Sequence, residues 1–83
     1  MSIQNTVKNF ITENILFSDN GYPYKLEDSF LEKGIVDSMN VMEIVAFVEE
    51  TFGVTIKDSD IVPSNFDSIA NITKFVETKK SAG

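Results

Sequence analysis

The stretch GIVDSMNVMEIVAFVEETFG, residues 34–53, decides the fold. Within it Val41, Val45, Val48 and Phe52 recur at the spacing of one helical face, with Met42 and Ile44 widening the stripe. Gly53 stands where a left-handed C-terminal cap belongs, and Val54 beyond it can fold back on Val48. The start is set by Asp37. As N-cap it is preceded by Val36 and followed, at the fourth helical position, by Val41, an apolar pair able to close a hydrophobic staple. Ser38 then becomes the first helical residue, with its hydroxyl not consumed by capping.

Working outward, Ser2 caps a first helix in which Ile3, Val7, Phe10 and Ile11 form one apolar stripe, and the spacing carries that helix to Leu16 or Phe17. The SDNG run at 18–21 stops it, and Pro23 keeps it from resuming. A connection this long needs local structure. Leu26, Phe30, Leu31 and Ile35 are expected to tether it to the core, with a short turn from Asp28 to Lys33 ending at Gly34. Downstream, DSDIVP makes at most a turn or two before Pro63, anchored by Ile61. A last helix starts near Asp67 or Ser68, carries Ile69, Ile72, Phe75 and Val76 inward, and has Lys79 and Lys80 at its negative end. VTI at 54–56 has strand character but no partner. The expected architecture is all-α: a small four-helix bundle of three longer helices and one short one, with a long first connection. It forms a single domain over residues 1–83 whose last few residues fray.

Composition excludes more than it suggests. The chain has 83 residues and no Cys, His or Trp. Thiolate nucleophiles, disulfides and zinc–thiolate sites are absent from its chemistry, as is the side chain best suited to proton transfer near neutrality. No metal site is expected. The EF-hand spacing fails: placing Gly21 at the obligatory glycine puts Leu16 at the first ligand position. The sequon Asn71-Ile72-Thr73 lies inside a predicted helix of a chain with no secretion signal, and no phosphate-cradling glycine motif exists. With no apolar run of membrane length, the chain reads as a cytoplasmic monomer.

The net charge is −6, unevenly placed. Residues 26–67 hold ten acids against Lys33 and Lys57, a net −8, while the two ends together are net +2. Such a middle repels nucleic acid phosphates and anionic membranes, and basic protein surfaces are its natural partners.

GIVDSM, followed at once by the amphipathic VMEIVAFVEETFG, resembles the phosphopantetheine attachment site of acyl carrier proteins. EETFGV at 49–54 is similar to that family's EExFGI segment, and DSDIVP and FDSIANITKFV are like its third and fourth helices. The resemblance implies a carrier, not an enzyme, with no catalytic residue of its own. It implies 4'-phosphopantetheine, taken from coenzyme A and attached covalently to Ser38, holding an acyl or aminoacyl group as a thioester. Asp37 would cap the helix beside the attachment site. The implied partners are a phosphopantetheinyl transferase, an acyl-loading ligase or synthase, and downstream acyl-transfer enzymes. They would dock through Met39, Glu43, Glu49 and Glu50, on a helix with no lysine between residues 37 and 52. A phosphodiester at Ser38 would also lie beside the exposed N–H groups of a helix start, where an anion gains about 0.3–1 kcal/mol.

Two departures narrow the resemblance. Asn40 stands where many fatty-acid carriers have an acid, and two residues, Ile35 and Val36, separate Gly34 from Asp37 where those carriers commonly have one. The GxxDSM form is more similar to stand-alone carriers serving AMP-forming ligases, D-alanyl carriers among them, and to specialised acyl carriers of lipid or polyketide pathways. A thioester carrier without cysteine must import its thiol, so the missing sulfur agrees with the resemblance. The competing reading is an unmodified acidic helical adaptor that binds a basic protein through the second helix. Phe47 is expected to pack against the first helix, not to close an acyl cavity.

Overall fold

The computed structural model describes residues 2–82; the side chains of Ser38 and Ala82 lie outside that description, as does Gly83. Its described residues form three longer helices and two short ones: α1 (Ile3–Asn14), α2 (Phe30–Lys33), α3 (Ser38–Phe52), α4 (Pro63–Phe66) and α5 (Ile69–Ala82). A single 3-10 turn at Asp58–Asp60 precedes α4. No strand occurs among the described residues, so the VTI segment stays extended without pairing. The all-helical bundle expected from the sequence is the fold.

The core lies where α1, α3 and α5 face one another. Val7 and Ile11 of α1, Ile44 and Val48 of α3, and Ile69, Ile72 and Val76 of α5 are completely buried. Phe10 of α1 stacks on Phe47 of α3 with ring centroids 4.0 Å apart, and Phe52 meets Phe47 edge-on. Phe47 therefore packs against the first helix, as expected. The inward stripe of α3 is shifted from the sequence reading. Ile44 sits at its centre, Val41 and Phe52 are half-buried, and Met42 is exposed.

The end of α1, the presence of α4 and the start of α5 differ from expectation, each for a local reason, while α2 closes at Gly34 as expected. α1 ends at Asn14, short of Leu16, because Phe17 takes a left-handed conformation at φ 52° while the Leu16 and Ser18 N–H groups turn back to the Ile11 and Thr12 carbonyls. The second short helix, α4, was not anticipated. Pro63 opens it at the first helical position, where a proline's missing N–H costs nothing, instead of merely closing the preceding segment. α5 starts at Ile69, with Ser68 Oγ accepting the Asn71 N–H in the manner of an N-cap. α2 is capped by Ser29, whose Oγ accepts the Glu32 N–H, and by left-handed Gly34 at φ 66°.

Asp67 is thereby released from helix starting, and it ties the long connection down. Its carbonyl accepts the Phe30 N–H at 2.6 Å, and its carboxylate accepts the Leu31 N–H and the Ser29 hydroxyl. The Ala70 N–H reaches back to the Leu26 carbonyl alongside. Of the four tethers expected in the connection, Phe30 and Ile35 are buried and Leu26 packs against the core, but Leu31 is 61% exposed. α2 is thus pinned beside the corner between α4 and α5, next to the start of α3.

Candidate functional site: the start of α3

α3 begins as the sequence predicts. Asp37 is extended, and its Oδ1 accepts the N–H groups of Met39 at 3.0 Å and Asn40 at 2.9 Å. Its carbonyl accepts the Val41 N–H. Val36 is buried and Val41 half-buried, and both border the same cavity, as a staple requires. Ser38 heads the helix. The capping of α3 is thus performed by Asp37.

One expectation is corrected here. A phosphodiester at Ser38 was to be stabilised by free N–H groups at the helix start, but Asp37 already occupies those of Met39 and Asn40, and the Val41 N–H is spent within the helix. The site therefore favours an anion less than a vacant helix terminus would.

The predicted docking residues divide into two groups. Met39 is 78% exposed, and Glu43 and Glu50 are exposed on the same outward side, joined by Met42 at 56%. Asn40 donates a long hydrogen bond to Glu43, 3.5 Å. Glu49 stands apart from them. It is half-buried, and its Oε2 accepts the Ile56 N–H at 2.9 Å, so its carboxylate holds the segment after α3 in place. Sequence spacing could not separate Glu49 from Glu50, because the bond that distinguishes them is made to a loop residue.

Beside the start of α3 lies an apolar cavity of about 120 Å³, between α2, α3 and α4. Phe30 and Leu31, Val36 and Val41, and Val62 and Phe66 provide its walls. Leu31 and Val62 are partly exposed at its edge, and Phe66 is backed by Phe75 with ring centroids 5.3 Å apart. The sequence reading did not place a cavity here. Its only trace there was an excess of apolar residues in the connection over what core packing uses, Leu31 above all.

The start of α3 is thus headed by serine, capped by its neighbour and flanked by a small apolar recess. Residues 23–76, more than half of the chain, match the family described as Phosphopantetheine attachment site. The chain belongs to that family: it is a non-catalytic carrier whose prosthetic group is covalently bound 4'-phosphopantetheine. Carriers of this kind work with a phosphopantetheinyl transferase and with acyl-handling enzymes. No curated protein matches the chain. No described helix is long and apolar enough to cross a membrane.

Proposed function

We propose that Ser38 is the attachment residue and that the chain carries an acyl or aminoacyl group as a thioester on the arm attached there. The observation that supports this reading is that α3 takes its cap from Asp37, so that capping does not call on the serine at its head. In attachment the serine oxygen bonds to the phosphorus next to pantetheine. Adenosine 3',5'-bisphosphate leaves and the serine proton passes to solvent. The bound group supplies the thiol that a chain without cysteine lacks.

The GxxDSM spacing favours a stand-alone carrier loaded by an AMP-forming ligase over a carrier of general fatty-acid synthesis. Met39 and Met42 offer flexible apolar contact to partner enzymes, and Glu43 and Glu50 offer negative charge to their basic rims. Glu49 contributes to that field while serving mainly to position Ile56. Intact-mass measurement after incubation with coenzyme A and a promiscuous phosphopantetheinyl transferase tests the assignment. Wild type gains the mass of one phosphopantetheine and Ser38→Ala gains none. No gain in wild type with several transferases would leave the acidic adaptor as the better account.

A further inference from the structure

We propose that the Asn20-Gly21 link is a self-modifying site, where water converts the asparagine to aspartate and isoaspartate without an enzyme. The inference does not depend on the carrier reading. The peptide nitrogen that follows an asparagine can attack the side-chain amide, and a fold prevents this by holding that N–H in a hydrogen bond or by crowding it with a side chain. The chain has seven asparagines, and six are blocked in both ways. The N–H groups after Asn5, Asn14, Asn40, Asn65 and Asn71 are held by the carbonyls of Ser2, Ile11, Asp37, Val62 and Ser68. Phe10, after Asn9, lies inside α1. Each of the six is followed by a residue with a side chain. Asn14 and Asn65 also spend their amides, on the Phe10 carbonyl at 3.1 Å and the Asp60 carbonyl at 2.8 Å.

Asn20 differs on every count. It is exposed in the bend after α1, and among the described residues neither its side chain nor the Gly21 N–H has a hydrogen bond. Ser18 Oγ accepts the Asn20 N–H at 3.3 Å and donates to the Gly21 carbonyl at 3.0 Å, leaving the nitrogen between them unclaimed. Gly21 takes φ 86° and stands in open space, where even an added Cβ would meet nothing within 4 Å. In the reaction the Gly21 nitrogen gives its proton to hydroxide and bonds to Asn20 Cγ. The Cγ–Nδ2 bond breaks, and ammonia leaves with a proton from water. Water then opens the five-membered imide at either carbonyl, to aspartate or isoaspartate, and the net charge passes from −6 to −7. In isoaspartate the backbone gains a methylene between the two groups that Ser18 bridges, so that bridge is lost beside Tyr22. Older molecules thereby come to differ from new ones in charge and in backbone.

Ageing the folded full-length chain in warm, mildly alkaline buffer tests this. Intact mass should rise by about 1 Da, and fragmentation of the peptide between Lys8 and Lys25 should place the change at Asn20, not at Asn9 or Asn14. The aged protein should accept methyl groups from S-adenosylmethionine through a protein isoaspartyl methyltransferase, and its aspartyl fraction should elute with Asn20→Asp on anion exchange. The rate should rise severalfold per unit of pH, since the attacking nitrogen must first lose its proton. Asn20→Gln alters an exposed side chain and should slow the mass gain about tenfold or more, because the longer side chain closes a less favourable ring. Unfolding in urea should change the rate at Asn20 by less than about threefold, because the folded chain does not hold it back. A mass that stays constant over weeks would overturn the proposal. So would a first change at another asparagine, or a rate at Asn20 that rises about tenfold on unfolding.

Discussion

The two ends of α3 use the same chemistry, a carboxylate accepting backbone N–H groups, in opposite ways. Asp37 serves its own helix, taking the N–H groups of Met39 and Asn40. Glu49 reaches out of the helix to Ile56, and close by Lys80 of α5 donates to the Phe52 carbonyl at 3.5 Å. The first end is self-contained. The second is an anchor shared with α5 and the following segment. What differs is the location of the partner atoms, not the charge.

The largest expected effect tests what both ends depend on, the buried centre of α3. Ile44→Ala should cost about 2–5 kcal/mol in urea unfolding, whereas Met42→Ala, two residues away but outward, should stay within about 0.5 kcal/mol. Equal losses would mean that the helix is not divided into an inner and an outer side as described. Next come the two carboxylates. Asp37→Ala should remove about 1 kcal/mol and speed hydrogen exchange at Met39 and Asn40 alone. Glu49→Ala should remove about 1–3 kcal/mol and speed exchange at Ile56, because it leaves a part-buried donor without its acceptor. A silent Glu49→Ala would dissolve the contrast.

Docking charge should follow the same division. At low salt, Glu43→Gln with Glu50→Gln should slow phosphopantetheine attachment severalfold, Glu49→Gln should slow it less, and both differences should shrink as salt rises. The smallest effects are those of pH. Asp60 lies 3.1 Å from Lys79, and its carboxyl is held below its ordinary 3.8 by the Lys57 backbone N–H and then by the Lys79 ammonium. Its contribution is therefore present above that ordinary value and lost as pH falls through the lower folded value, a loss that Lys79→Met should flatten. At the alkaline extreme, Tyr22 is raised from 10.0 to about 12, mainly by burial and then by Asp28, and its hydroxyl lacks a hydrogen-bond partner among the described residues. Stability should fall as pH rises from 10.0 toward about 12, and Tyr22→Phe should remove that fall without lowering stability at neutral pH.

What could be read in the sequence was what local spacing carries. Asp37 and Gly53 mark the ends of α3, Ser2 marks the start of α1, and Gly34 closes α2, because caps act through backbone groups only a few residues away. The all-helical fold followed from the same periodicity. Uses that depend on distant residues were hidden. Asp67 looked like the start of the last helix and instead holds Ser29 and Leu31. Glu49 looked like one more docking acid and instead holds Ile56. Leu31 looked like a tether, and its place at the mouth of a cavity depends on residues 61–66 lying opposite.

The bonds from Asp67 to α2 also govern the order of events in folding. A helix as short as Phe30–Lys33 has no stability of its own in water. Its N–H groups at Phe30 and Leu31 find their acceptors only after the chain has closed a loop to Asp67, which costs about 3 kcal/mol in lost chain freedom. The clasp is therefore expected to close after the long helices have met and to open before them. Exchange at those two amides should accordingly report partial openings that leave the α1, α3 and α5 core intact, and the recess beside α3 comes and goes with them.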